Sequence, residues 1–254
     1  MNIILAFLLR DVSIEKTYRF HLALKLSGVA AQIAVFYFIS RFLEKPQYFL
    51  YVFVGIMFSG FFQFWLNVFP ENVRQEQYWG TFEPVFLSKN RPLAVILSSA
   101  SGKFVLFVME MTLLIAVGKF LFGSGFNLSL AGFIPLFVLN SLAVGGIGLI
   151  SGSFIMYFKR GDPVNWVLGA SFDLLSGVYF PVAVLPSILK GFSQKLPTTS
   201  ALDLWRGLLI EGKIPSPHQF AVQAAWALVL LAAGAWAFSA AFDKTRVKGD
   251  LGNY

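Results

Sequence analysis

Residues 71–92 read ENVRQEQYWGTFEPVFLSKNRP and form the longest interruption in the apolar first half of the chain. Pro70 suits the first position of a helix, and Glu71 would then lie at the positive end of that helix. Gly80 is expected to bend the chain, and Thr81 can cap a second short helix. The pattern predicts an elbow of two short helices that lies along a membrane surface, between two spans.

Aromatic and acidic side chains give this elbow a predicted surface. Trp79, Phe82 and Phe86 have the spacing that places side chains on one face of a helix, and Glu76 and Glu83 flank that face. The residues alone are consistent with an amphipathic helix that its aromatic rings anchor at the lipid headgroups.

Composition identifies the class of protein. Of 254 residues, 57% are hydrophobic and 13% are charged, and the mean hydropathy is +0.69, which is typical of a polytopic membrane protein. The net charge of +7 comes from basic residues between apolar runs, so it argues for membrane topology and against nucleic-acid binding. Cysteine is absent, which excludes disulfides and thiolate metal sites, and two histidines make a histidine metal site improbable.

Six apolar stretches reach the length of about 20 residues that a membrane-spanning helix needs. They are residues 22–42, 49–69, 93–121, 128–158, 164–182 and 220–242. Residues 1–20 are too short to span, because Arg10 and Asp11 interrupt the first apolar run, and they predict a helix lying in the interface. We therefore expect one all-α integral membrane domain over residues 1–254.

The positions of Lys and Arg predict the orientation. With six spans, thirteen of the twenty basic residues fall on the side that holds both termini and the elbow. Cytoplasmic loops carry such an excess, so both termini and the elbow should be cytoplasmic.

Two features within the spans leave alternatives open. The fourth span carries Gly145, Gly146, Gly148 and Gly152, a small-residue surface that serves close helix packing, a hinge or a substrate-lining groove. Lys103, Glu110 and Asp173 are polar groups in apolar sequence, and they indicate either structural ion pairs and neutral acids or the wall of a translocation path.

After the fifth span, Pro181 and Pro186 bracket too few residues for another crossing. Short helices are expected at residues 187–192 and 198–209, and residues 181–213 should form a re-entrant hairpin that closes the outer end of the path. Cysteines placed at Ser187, Ser193 and Thr199 should then react from outside, whereas one at Ser88 should react only from inside.

Two motifs, on opposite predicted faces, carry a family resemblance. The first consists of Glu76, Gly80, Thr81 and Glu83, followed by Pro92 and Gly102-Lys103. The second consists of Ser176-Gly177, Phe180-Pro181, Leu185-Pro186, Leu196-Pro197, Ala201-Leu202 and Arg206. Together they resemble the permeases of ABC-2 type exporters, although family members often carry Arg where this sequence has Gln77, and Leu where it has Phe82.

The resemblance implies a coupling helix that docks on a nucleotide-binding ATPase, with two permeases, as a homodimer, and two ATPases in the assembly. The implied coupling residues are Glu76, Trp79, Gly80, Thr81, Phe82, Glu83 and Phe86. Those expected at the outer gate are Pro181, Pro186, Pro197 and Arg206. ATP and Mg²⁺ would bind the partner and no cofactor would bind this chain, because Leu97 and Phe104 stand where a P-loop around Gly102-Lys103 requires Gly and Ser or Thr.

The expected function is export of an amphipathic, lipid-like or drug-like substrate from an inner membrane, without enzymatic activity in this chain. Two alternatives stay open: export of a polysaccharide or glycolipid, and a membrane-embedded lipid-processing enzyme. Such an enzyme would need a nucleophile with a base, or a metal cluster, at membrane depth.

Overall fold

The computed structural model describes residues 3–17, 19–86, 89–158 and 163–247, and in this part of the chain it is helical, with no strands. The helices are α1 (Ile3–Thr17), α2 (Arg19–Phe42), α3 (Pro46–Tyr78), α4 (Phe82–Phe86), α5 (Pro92–Ser99), α6 (Ser101–Phe122), α7 (Leu130–Phe158), α8 (Pro163–Leu175), α9 (Ser187–Ser193), α10 (Pro197–Leu209) and α11 (Pro217–Val247). Several begin at a proline, whose fixed φ and missing N–H suit the first turn of a helix.

Four helical segments are long and apolar enough to cross a membrane. They are Gln47–Tyr78, Pro92–Phe122, Leu130–Phe158 and Pro217–Val247. They correspond to the second, third, fourth and sixth predicted spans. At the first predicted span, the apolar part found within α2 is the shorter Ser27–Phe42.

The C-terminal boundary predicted for the fifth span, residues 164–182, is wrong. Helix α8 stops at Leu175, and its 13 residues extend only about 20 Å. Gly177 adopts a φ of +76°, which favours glycine and turns the chain there. Helix α9 stabilises this turn, because Ser193 donates a hydrogen bond to the carbonyl oxygen of Leu175.

Helix α3 continues through Pro70, so the prediction that a new helix begins at Pro70 is also wrong. The 33 residues of α3 extend about 50 Å, which exceeds the hydrocarbon thickness of about 30 Å. The interruption that the sequence predicts therefore begins only after Tyr78, where Gly80 turns the chain with a φ of +70°, as expected of the bend.

Contacts with α3 define the directions of the long helices. On α7, Gly148 lies against Trp65 and Gly152 against Phe69, so α3 and α7 run parallel, and Gly146 meets Leu230 of α11. The neighbours α6 and α8 run antiparallel to α3. The order of directions agrees with alternate crossings of a membrane.

The glycines of α7 permit these contacts. A methyl group added at Gly148 would lie 2.0 Å from the carbonyl oxygen of Trp65, and one at Gly146 would lie 2.3 Å from that of Leu230. Real side chains do not approach so closely, so the backbones themselves are in contact. Of the alternatives left open for this small-residue surface, close helix packing is the one that these contacts favour.

Two apolar cores lie along α3. One surrounds Phe58, Phe61 and Trp205, so α10 closes it. The other surrounds Phe69, Phe86 and Phe238, so α4 closes it. The segment of residues 181–213 and the elbow are therefore each built into a core at one end of the same helix.

We predict that Gly148→Ala lowers the free energy of unfolding by about 1–3 kcal/mol, because the added carbon forces α3 and α7 apart. Thermal unfolding in detergent measures the effect. Gly28→Ala is the matched control, because nothing lies within 4 Å of that position in α2, and it should be neutral or slightly stabilising. Equal stability of the two variants would contradict the backbone contact.

Candidate functional site

The elbow is organised around the carboxylate of Glu76, which lies in the last turn of α3 and is only 2% exposed. Arg10 of α1 donates a hydrogen bond to Oε1 of Glu76, and the hydroxyl of Thr81 donates to Oε2 at 2.5 Å. The Thr81 hydroxyl is directed back to Glu76. Thr81 directly precedes α4, and its carbonyl oxygen accepts from the N–H of Val85 at 3.1 Å, which is the position of a capping residue, while capping by its side chain stays a prediction. Both carboxylate oxygens have donors, which compensates the cost of burying the charge.

Arg10 connects α1 to the elbow. Its guanidinium lies 4.7 Å from the ring centroid of Phe7 and 5.8 Å from that of Trp79, and its Nε donates to Asp11 at 3.1 Å. Sequence reasoning placed Arg10 on an interfacial helix but missed its pairing with Glu76, 66 residues away. Arg10 of α1 is thus a cationic partner of this carboxylate.

The Gly102-Lys103 pair belongs to the same assembly. A methyl group at Gly102 would lie 2.4 Å from Cβ of Asp11, so this glycine makes room for α1. Lys103 forms an ion pair with Glu71 at 3.4 Å. Burial raises the pKa of the Asp11 carboxyl, and Arg10 acts in the opposite direction. The separated parts of the first motif thus meet around α1.

The aromatic surface of the elbow differs from its prediction. Phe82 and Phe86 are each 2% exposed, with ring centroids 4.5 Å apart, and Phe86 packs against Phe238 and Phe242 of α11. The prediction that they share one outward face with Trp79 is wrong, because α11 covers them.

Trp79, in contrast, is 46% exposed, and Tyr78 is 81% exposed. Glu83 and Pro84 are also exposed. The outward surface of the elbow is therefore made by the residues around the Gly80 turn and by the first turn of α4, while Glu76, Phe82 and Phe86 support it from inside.

Asp173, one of the predicted path residues, lies in a polar seam between α3 and α8. The facing pairs are Ser59 with Asp173, Gln63 with Gly169, and Asn67 with Asn165. Successive pairs are one helical turn apart on each helix. Ser59 donates to the Asp173 carboxylate at 2.5 Å, and Asn165 donates to Asn67 at 2.9 Å.

Glu110 lies elsewhere, on the wall of a cavity of about 550 Å³ between α2 and α6. The other lining residues are Val29, Ala30, Ile33, Ala34, Tyr37, Phe38, Phe49, Leu113, Leu114, Val117 and Leu121. Because Lys103 pairs with Glu71 near the elbow, the structure does not bring Lys103, Glu110 and Asp173 together.

Arg206 connects α10 to the turn that follows α8. It is 7% exposed, and one terminal nitrogen donates to the carbonyl oxygens of Gly177 at 2.8 Å and Val178 at 2.9 Å. The guanidinium carbon lies 3.5 Å from the ring centroid of Tyr51. Burial lowers the pKa of Arg206 to about 10, so it remains a cation at neutral pH.

The prolines of the hairpin delimit its elements. Pro181 precedes the turn of 3-10 helix Val182–Val184, Pro186 precedes α9, and Pro197 begins α10. Helices α9 and α10 lie where the sequence predicts them. Whether this segment enters the bilayer stays a prediction.

No protein-family model matches the sequence. Over 142 residues, 54% of this chain, the sequence is 25% identical to ABC transporter G family member 20 of Dictyostelium discoideum. The match covers 19% of that protein, so the chain corresponds to about a fifth of the relative's length. Together with the four long apolar helices, the similarity supports a multi-pass membrane protein.

We predict that Arg10 and Glu76 are energetically coupled by about 1–3 kcal/mol in a double-mutant cycle of Arg10→Gln and Glu76→Gln. The free energy of unfolding in detergent is measured for the four proteins. The exposed pair Asp243 and Arg246, 3.5 Å apart, is the control and should give about 0.5 kcal/mol or less. Coupling of Arg10 and Glu76 no larger than the control would show that the ion pair does not hold α1.

Proposed function

We propose that this chain is the membrane-spanning permease subunit of an ABC-2 type exporter. It moves an amphipathic, lipid-like or drug-like substrate out of the cytoplasm or the inner leaflet, driven by ATP hydrolysis in a separate subunit. The observation that carries the proposal is the elbow, in which Glu76 is held between Arg10 and Thr81 at the end of a helix long enough to span the membrane. The similarity to part of an ABC transporter supports the same class.

The proposed assembly contains two copies of this chain and two ATPase subunits, which bind ATP and Mg²⁺. Gly102 and Lys103, the nearest approach to a phosphate-binding sequence, are engaged with Asp11 and Glu71, a structural use that is consistent with hydrolysis in the partner. The elbow and both termini lie on the cytoplasmic side of an inner membrane in this proposal.

The surface that meets the ATPase is the exposed part of the elbow. Tyr78, Trp79 and Glu83 protrude from a base fixed by the ion pair below and by the stacked rings of Phe82 and Phe86. A rigid base suits coupling, because a movement imposed on the protruding residues passes into α3 instead of being lost in local rearrangement.

The cavity beside Glu110 favours an amphipathic substrate over a polysaccharide. Its lining is almost entirely aliphatic and aromatic, with a single carboxylate. A sugar chain requires several hydrogen-bonding groups along its path, whereas the apolar part of a lipid-like molecule matches this lining.

We expect Glu83→Lys to reduce substrate-stimulated ATP hydrolysis and transport by at least about ten-fold, because a charge reversal at an interface replaces attraction with repulsion. Hydrolysis and transport are measured in proteoliposomes containing the permease and its ATPase. Glu211→Lys is the control, since Glu211 is also exposed but lies at the opposite end of the molecule. Normal coupling in Glu83→Lys would remove the elbow from the proposed docking surface.

The topology can be tested by labelling single cysteines with a membrane-impermeant thiol reagent in intact cells. Of the positions that the sequence suggested, Ser187 is exposed, but Ser193 and Thr199 are buried, so their predicted reactivity is wrong for the folded chain. Ser88 lies outside the described residues.

We therefore expect Ser187→Cys and Gln194→Cys to react from outside and Ser193→Cys to be protected, which makes the neighbours 193 and 194 a matched pair. Asn90→Cys, exposed beside the elbow, should react only after the cells are opened. Labelling of Asn90→Cys in intact cells would invert the topology and exclude docking of a cytoplasmic ATPase on the elbow.

A further inference from the structure

A groove of about 230 Å³ lies between α7 and α11. Phe154 and Tyr157 form one wall, and Trp236 and Ala240 form the other. Trp236 is 75% exposed. Small alanines opposite large rings leave this space open, although the two backbones touch at Gly146 and Gly234.

Lys244 closes one end of the groove. Its neighbour Asp243 forms an ion pair with Arg246, with the two charged atoms 3.5 Å apart. Among the described residues that line the groove, Lys244 is the charged one. The hydroxyl of Ser153, another side chain of the lining, donates to the carbonyl oxygen of Leu149 at 2.7 Å. The groove is thus mainly apolar along its length and cationic at its end.

The position of Lys244 along α11 matches the edge of a bilayer. The contact of Gly146 with Gly234 lies near the middle of both helices, and Lys244 follows Gly234 by about 15 Å along the helix axis. Half of the hydrocarbon core is also about 15 Å thick. With the glycine contact near the midplane, the groove lies at the depth of acyl chains and Lys244 at the depth of headgroups.

We propose that this groove binds one anionic phospholipid, with an acyl chain along Phe154 and Trp236 and the headgroup phosphate at the ammonium group of Lys244. A net negative headgroup complements Lys244, whereas a zwitterionic headgroup brings its own cation near the lysine. The site requires only that α7 and α11 span the membrane, so it does not depend on transport.

The test uses the full-length protein in bilayers that contain brominated lipids, because bromine on an acyl chain quenches a nearby tryptophan. Subtracting the fluorescence of Trp236→Phe isolates the signal of Trp236 from that of the other tryptophans. Brominated phosphatidylglycerol and brominated phosphatidylcholine are titrated separately. We expect phosphatidylglycerol to be preferred about five-fold at Trp236.

Three variants distinguish a site from general attraction of anionic lipid. Lys244→Gln should abolish the preference, because it removes the cation. Ala240→Leu should also abolish it, because it fills the groove and leaves Lys244 in place. Lys213→Gln, a fully exposed lysine at the opposite end, should leave the preference unchanged.

The proposal is overturned if wild-type protein shows no preference, or if the preference survives in Lys244→Gln or Ala240→Leu. It is equally overturned if neither lipid quenches Trp236, since a protein surface would then cover the groove.

Discussion

The contact of bare backbones along α7 is the constraint on which the rest of the structure depends. The hydrophobic effect contributes little to helix association within lipid, so close van der Waals packing must supply much of the attraction between helices. Gly148 brings α7 against Trp65 of α3, and Gly146 brings it against α11. These two contacts fix α3 relative to α11. The elbow needs that spacing, because Glu76 belongs to α3 whereas the rings that cover Phe86 belong to α11.

Clusters of buried polar groups connect different segments of the chain at both ends of the structure. At one end, Glu76 receives Arg10 and Thr81, and at the other end Arg206 donates to two carbonyl oxygens of the turn after α8. Each cluster joins segments that are far apart in sequence. Removing either cation would leave buried acceptors without donors, a cost that an apolar contact does not carry. The polar clusters therefore specify which segments meet, whereas the apolar cores mainly hold them together.

The sequence predicts the positions of the long apolar helices, the bend at Gly80 and the helices of the outer hairpin, because these depend on local composition, proline and glycine. Prediction from the sequence fails where the local structure depends on residues that are distant in the chain. Phe82 and Phe86 are buried because they pack in one core with Phe238 and Phe242 of α11, and no local sequence pattern indicates this contact. Pro70 does not start a helix, since a proline inside a packed helix is tolerated when surrounding groups compensate. The early end of α8 depends on Ser193, and the pairing of Glu76 depends on Arg10.

Helix α3 carries contacts to both clusters. A methyl group at Gly55 would lie 2.2 Å from the carbonyl oxygen of Val178, so the turn after α8 lies directly on α3. Glu76 lies about 30 Å further along the same axis. Both points belong to one helix, because α3 is continuous through Pro70. A rotation of about 5° displaces one point relative to the other by about 3 Å, comparable to the length of a hydrogen bond. A tilt of α3 as one body would therefore carry a displacement at Glu76 to the carbonyl oxygens that Arg206 holds.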